Sequence, residues 1–199
     1  MKEETFNKRY WALFDKESKV KNYRKAFPYL MIAAKNGHPH DQNLVGYCYG
    51  LGLGPRRNAK TAVLWYKKAA KNRYAEAIYN LAICYARGRG VAKDERKAFG
   101  FNQRAAAAGH VWASCNLGTM YAEGVGTRTN PALAVQWWRK AGQKGDAKAM
   151  YNLGCSYVDG YGVRPNRRVA ATWLKKAASL GHKKAAKELR DLESVRAST

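Results

Sequence analysis

The sequence predicts an all-α fold, a solenoid built from helix-turn-helix units, and three observations carry that prediction. Stepping 36 residues at a time from Tyr49 lands on Tyr85, Tyr121 and Tyr157. The same step carries a glycine pair, Gly52 and Gly54, to Gly88 and Gly90, then to Gly124 and Gly126, then to Gly160 and Gly162. Between these marks apolar residues recur at helical spacing, as Ala77, Leu81 and Tyr85 do at i, i+4 and i+8. A fixed period of this length is the signature of a repeat array, whose units bury their apolar faces against one another.

The chain divides into an N-terminal cap, four repeats and a C-terminal cap. Within residues 1–38, Ala26, Tyr29, Ala33 and Gly37 match the second helix of a unit, and Phe6 to Lys19 supply a degenerate first helix. The full units are 39–74, 75–110, 111–146 and 147–182. In each, helix A buries a stripe such as Ala77, Leu81, Tyr85 or Ala113, Leu117, Tyr121, and the glycine pair ends the helix and redirects the chain. Asn58, Asp94, Asn130 and Asn166 follow as side chains that accept from free amides at the start of helix B, with Pro131 suited to a first turn.

Helix B carries a second stripe: Ala62, Trp65, Ala69, echoed by Ala98, Phe101, Ala105, by Ala134, Trp137, Ala141, and by Ala170, Trp173, Ala177. Here the aromatic is expected to fill the space beside alanines that allow close helix approach. Gly109, Gly145 and Gly181 end three of these helices, and Arg73 in the equivalent place marks an irregular loop. Lys183 to Leu192 form a terminal capping helix without the tyrosine and the glycine turn, followed by a fraying tail in 193–199.

Thirty-seven Lys and Arg against 14 Asp and Glu give a formal charge of +23, which favours acidic partners. The first twenty residues mix both signs of charge, and the longest apolar run, Ala26 to Ala34, is too short for a bilayer. Neither secretion nor membrane insertion is expected, and a cytoplasmic setting follows. Cys48 and Cys84 share one repeat position a unit apart, too far for a disulfide, and Cys115 and Cys155 have no mate, so all four are expected as free thiols.

The strings LAICYARGRGV at 81–91, LGTMYAEGVGT at 117–127 and LGCSYVDGYGV at 153–163, each with an Ala-rich helix such as AVLWYKKAA at 62–70, resemble the Sel-one-like repeats, relatives of the tetratricopeptide repeats. The resemblance covers 39–182 strongly and 23–38 weakly. It implies a right-handed α/α superhelix whose A helices line a concave face, and a role as an adaptor in protein assemblies. Some secreted members resemble disulfide-braced proteins that bind β-lactams. This chain departs from them in its cysteine pattern and in carrying 23 basic and 7 acidic residues within 39–182.

Little in the chain points to catalysis. Ser18 to Lys21 matches a Ser-x-x-Lys pattern by chance, without the elements that accompany it in penicillin-recognising enzymes. His38, His110 and His182 share a repeat position and are too far apart to close on one metal, so they read as loop residues. No cofactor and no metal site is implied.

Two surfaces remain as binding candidates. Phase places Tyr79, Asn80, Ile83 and Arg87 toward the concave groove, matched by Cys115, Asn116, Thr119 and Glu123 and then by Tyr151, Asn152, Cys155 and Asp159 in the following units, with Trp112 as a further variable aromatic. Asn80, Asn116 and Asn152 repeat without change and suit a structural bond between neighbouring helices. The variable members Tyr79, Ile83, Arg87, Trp112 and Tyr151 suit recognition.

Lys67, Lys68, Arg104, Arg139, Lys140, Lys175 and Lys176 form a ladder along the B helices, and Arg56, Arg57, Arg128, Arg164, Arg167 and Arg168 lie in the loops between helices. The plainer reading of the ladder is a solvated face near helix C-termini, where cations complement the helix dipole. The expected function is a non-enzymatic interaction module holding an acidic peptide or protein in its groove, with sequence-independent RNA or DNA binding on the basic face as the alternative and, from the resemblance alone, β-lactam binding or hydrolysis as a second alternative.

Overall fold

The computed structural model describes residues 22–197, which form ten α-helices and, among the described residues, no strand. They fall into two compact units divided after Arg104. The first holds α1 (Tyr23–Lys35), α2 (Pro39–Leu51), α3 (Ala59–Lys71), α4 (Ala75–Arg87) and most of α5 (Glu95–Ala107). The second holds the end of α5, then α6 (Val111–Glu123), α7 (Pro131–Gln143), α8 (Ala147–Asp159), α9 (Arg167–Ser179) and α10 (Lys183–Ala197). The proposed N-terminal helix at Phe6 to Lys19 and the Ser18–Lys21 pattern lie outside the described residues.

The 36-residue step has a simple physical composition. Every helix but the last is 13 residues long, and seven-residue and three-residue connections alternate between them. The A helices α2, α4, α6 and α8 each end on a left-handed glycine, with φ of 80°, 65°, 74° and 75° at Gly52, Gly88, Gly124 and Gly160. The B helices open on the expected caps. Asn58, Asp94, Asn130 and Asn166 accept from Thr61, Lys97, Leu133 and Val169 amides at 3.0, 2.9, 3.0 and 3.0 Å, satisfying donors that a first turn leaves open.

The second glycines Gly90 and Gly162 have a different task. A Cβ on Gly90 would run into the carbonyl of Ala59, and one on Gly162 into that of Pro131. The turn of one repeat therefore lies directly on the first turn of the preceding B helix, and only a residue without a side chain lets the two backbones touch. Arg73 stands where four other hairpins have glycine, and it adopts the same left-handed conformation at φ 56°. The loop is regular in shape, and the irregularity lies only in the residue that fills it.

The core runs along the seam between A and B helices. Val45, Leu81, Leu117 and Leu153, one per repeat, are at most 1% exposed. Ala62, Ala98, Ala134 and Ala170 are fully buried or nearly so, as are Ala69, Ala105, Ala141 and Ala177, and these small residues let the helices approach closely.

The aromatic stripe of helix B differs from the expectation in one respect. Trp65 is buried, but Phe101, Trp137 and Trp173 are only half-buried. The residue that enters the A–B interface is the next one, Tyr66, Trp138 or Leu174, at 6%, 6% and 0% exposure. Each sits over a glycine of helix A: Cβ atoms built on Gly46, Gly118 and Gly154 would lie 2.6, 2.5 and 2.7 Å from those side chains. In the 75–110 repeat the partners at these positions are Ala82 and Asn102, a larger residue facing a smaller one. Adjacent apolar residues made the helix phase ambiguous, and the unremarked glycines on helix A resolve it.

The last helix extends to Ala197, past the Leu192 limit that the apolar pattern set. No helix among the described residues is long and apolar enough to cross a membrane.

Candidate binding cavities

The basic ladder has a local structural cause. Lys68, Arg104, Lys140 and Lys176 each lie one turn beyond an aromatic of the same helix and cover its ring. The distances to the centroids of Trp65, Phe101, Trp137 and Trp173 are 4.1, 5.4, 4.3 and 4.9 Å. A cation over an aromatic face contributes on the order of 0.5–1 kcal/mol at an exposed site, and the aliphatic stem shields the ring from water. This explains why a cation recurs at that position and why Phe101, Trp137 and Trp173 are only half-buried by the rest of the chain. Lys67 and Lys175 are exposed beside them, whereas Arg139 is half-buried and donates from Nη2 to the Tyr157 hydroxyl at 2.9 Å, so it leaves the ladder and braces α7 against α8.

In the first unit a cavity of about 230 Å³ opens between α2, α3 and α4. Tyr47, Leu51, Tyr66, Asn80 and Ile83 supply its walls, and Arg57, Arg87 and Arg89 are the charged groups that line it; no carboxylate does. Tyr47 and Leu51 are 47% and 54% exposed, so the cavity presents apolar surface to solvent. Three of the predicted groove residues, Asn80, Ile83 and Arg87, thus converge. Asn80 also has a structural bond, donating from Nδ2 to Asn43 Oδ1 on the neighbouring A helix at 2.9 Å.

In the second unit a cavity of about 600 Å³ lies among α6, α7, α8 and α10. Thr119, Trp138, Tyr151, Asn152, Cys155 and Tyr161 line it, and its charged groups are Glu123, Asp159, Glu188 and Lys148. The two cavities are the same architectural feature. Nine of the twelve positions lining the first recur, two repeats on, in the second, among them Tyr47 as Thr119, Leu51 as Glu123, Tyr66 as Trp138, Asn80 as Asn152, and Arg87 as Asp159. The scaffold repeats the hollow and the sequence changes its charge.

Tyr151 and Cys155 form a pair inside the second cavity. Hydrogen bonding to Cys155, burial and the nearby carboxylates of Glu188 and Asp159 push the Tyr151 phenol up to about 12. Burial is the main cause that raises the Cys155 thiol. Tyr151 also stacks on His182, with centroids 4.6 Å apart and planes at 24°.

The remaining predicted residues are dispersed. Tyr79 and Asn116 are half-buried and line neither cavity, while Trp112 is 59% exposed and meets His110 edge to face at 5.9 Å. Cys115 is not a groove residue: it is 2% exposed, and burial with the carboxylate of Asp146 pushes its thiol up to about 12. Burial likewise raises Cys48 to about 11, and all four cysteines are free. The histidines have a use that the sequence did not disclose. His110 and His182 occupy helix-capping positions and accept through Nδ1 from the amides of Ala113 and Ala185 at 3.1 and 3.2 Å. Among the described residues no group of three or more His, Cys, Asp or Glu is placed to hold a metal.

Uniform helices, alternating connections and a hollow that recurs two repeats on define an all-α solenoid. The Sel1 repeat model matches residues 17–38, 39–74, 75–110, 113–146 and 147–182, and the chain belongs to that family. It is similar in structure to a Sel1 repeat protein from Oxalobacter formigenes, with TM-score 0.83 and 35% identity over 89% of this chain and 71% of the other. It is also similar to c5321, a protective antigen of uropathogenic Escherichia coli with an SLR fold (TM-score 0.87, 27% identity, 94% of this chain), of which it spans 41%. Cysteine rich protein B of Helicobacter pylori shares the fold at TM-score 0.54 and 23% identity, over 67% of this chain and 96% of that one. Sel1 repeats are protein–protein interaction scaffolds.

Proposed function

We propose that the chain is a non-enzymatic adaptor that holds an acidic peptide or protein segment in the cavity between α2, α3 and α4. The observation that carries this reading is the set of Arg57, Arg87 and Arg89 around an open apolar hollow whose lining includes no carboxylate. Tyr47 and Ile83 offer contact area, Asn80 offers an amide, and the guanidiniums pair with carboxylates in the bidentate geometry that arginine favours. The long-range field of a +23 chain speeds encounter with such a partner. The raised thiols of Cys48, Cys84, Cys115 and Cys155 support the non-enzymatic part, since an activated cysteine nucleophile requires a lowered pKa.

The test is binding of acetyl-tetraglutamate amide, followed by chemical shifts of the ¹⁵N-labelled chain. Shifts should cluster in 47–89, and Arg87→Ala with Arg89→Ala should weaken binding about tenfold; an unchanged affinity refutes the assignment. Tyr79→Ala and Tyr151→Ala, applied together, test whether the two predicted aromatic anchors add to capture of a partner.

The exposed arginines Arg56, Arg128 and Arg164 of the loops support a second reading, phosphate-backbone binding without base readout; Arg167 and Arg168, expected in a loop, instead open α9, where Arg167 donates to the Leu192 carbonyl at 2.7 Å and Arg168 stays exposed. Titration with labelled single- and double-stranded nucleic acid at two salt concentrations separates the two, because backbone binding must fall steeply with salt.

A further inference from the structure

We propose that the acidic segment of the partner runs on from the cavity between α2, α3 and α4 into an adjoining hollow, so that a long acidic stretch is held by five arginines; this rests on the function assigned above. The adjoining hollow, of about 710 Å³, lies where the first turn of α1 meets the connection between α2 and α3. Leu51 and Arg57 line both hollows, so the two share a wall and a segment leaving one passes over it into the other. Arg24, Arg56 and Arg57 are the charged groups of the adjoining hollow, as Arg57, Arg87 and Arg89 are of the first, and neither lining includes a carboxylate.

The connection between α2 and α3 holds its arginines in a fixed frame. Leu53 donates its amide to the Cys48 carbonyl and Asn58 donates to that of Tyr49, both at 2.9 Å, so the turn is tied at each end. A Cβ on Gly54 would lie 2.7 Å from the Tyr23 carbonyl oxygen, and one on Gly52 would lie 3.4 Å from Arg57 Cβ. The turn therefore rests on the start of α1, and the stem of Arg57 packs over Gly52 at the junction of the two hollows. Charges placed in advance lose less freedom on binding than charges on a free loop.

The register separates this charge from the needs of the scaffold. Two repeats on, the positions of Asn22, Tyr23 and Leu51 hold Asp94, Glu95 and Glu123, and that of Arg57 holds Thr129. The same turn thus accommodates carboxylates where this one has none. Charge also selects the occupant. Residues 1–21 carry six basic and four acidic side chains, so the sequence that complements five guanidiniums comes from a partner.

The full chain, ¹⁵N-labelled, is titrated with acetyl-octaglutamate amide beside the tetraglutamate. Extended, four residues reach at most about 14 Å and eight about 28 Å, so the longer ligand doubles the reach. We expect the octaglutamate to bind about tenfold tighter and to shift amides of 22–24 and 51–57 as well as those of 87–89. Arg24→Ala with Arg56→Ala should weaken the octaglutamate about tenfold and leave the tetraglutamate affinity and the circular dichroism unchanged. Arg128→Ala with Arg164→Ala removes the same charge from exposed loops of the second unit and should change neither affinity.

An octaglutamate affinity indifferent to Arg24→Ala with Arg56→Ala, or reduced equally by the two pairs of substitutions, overturns the proposal. So does a labelled octathymidylate that binds tighter than the octaglutamate and weakens in the Arg24→Ala, Arg56→Ala variant, which would make nucleic acid the occupant. The tetraglutamate titration with Arg87→Ala and Arg89→Ala reports on the first hollow by itself, so failure of the longer span leaves the function assigned above in place.

Discussion

Replacing Gly118 with alanine tests whether the interface between α6 and α7 is built by matching a missing side chain to a large one. The added Cβ would sit 2.5 Å from Trp138 Cδ1, 2.6 Å from Nε1 and 3.0 Å from the Ala134 carbonyl, against an ordinary contact of about 3.5–4.0 Å. The indole must then move by about 1 Å. The Ala134 carbonyl is backbone and cannot yield, so the indole must give way and leave its packed position against α6. Overpacking of this kind costs ~1–3 kcal/mol, and the second clash with fixed backbone places Gly118→Ala at the upper end.

Alanine in a helix interior returns about 1 kcal/mol over glycine, leaving a net loss of about 2 kcal/mol. In a Trp138→Ala background the ring is gone, and the same substitution should stabilise by about 1 kcal/mol. The effect thus changes sign, with a coupling energy of about 3 kcal/mol. Urea unfolding followed by circular dichroism at 222 nm on the four proteins of the cycle measures it. A Gly118→Ala variant that gains stability in the native background, or loses equally in both, refutes the reasoning.

Arg73→Gly should raise the thermal midpoint. Arg73 holds φ 56° where Gly37, Gly109, Gly145 and Gly181 hold 84–93°; relief of roughly 1–2 kcal/mol of left-handed strain outweighs the extra freedom of glycine in the unfolded chain. A calorimetric midpoint that is unchanged or lower removes that explanation. Alkaline pH should destabilise the fold through its buried thiols. Cys48 and Cys115 rise from 9.0 to about 11 and about 12, so the folded chain holds these protons more tightly than the unfolded one. The resulting stabilisation is complete below pH 9 and is lost as pH climbs through 11 and 12, with about 1 kcal/mol per thiol gone by pH 10. Urea midpoints at pH 8 and 10 under reducing conditions should fall less in Cys48→Ala with Cys115→Ala than in the native chain; equal falls would place the pH dependence elsewhere.

The architecture was legible because repetition averages over local ambiguity. One glycine is a weak signal, but Gly52, Gly88, Gly124 and Gly160 in constant phase fix where every A helix ends, and the four caps fix where every B helix begins. The phase of helix B within a turn was not legible in the same way. Trp65 and Tyr66, or Trp137 and Trp138, are both large and apolar, and only the glycines opposite them on helix A select the residue that enters the interface. Asn80, Ile83 and Arg87 line one hollow and Thr119, Glu123, Tyr151, Asn152, Cys155 and Asp159 the other, as a shared helix phase suggests, whereas Tyr79, Trp112 and Asn116 line neither. The change from arginine to carboxylate at the positions of Arg87, Glu123 and Asp159 was legible in the sequence; the approach of Glu188 from α10 was not, because it depends on how a separate helix packs.

The duplicated hollow also bears on how such an array diversifies. The same framework carries Leu51, Arg87 and Arg89 at the rim of one hollow and Glu123, Asp159 and Tyr161 at the matching rim two repeats on. The helix packing that makes the hollow therefore sets no charge of its own, and a copied pair of repeats carries the shape forward while leaving the rim residues free to vary.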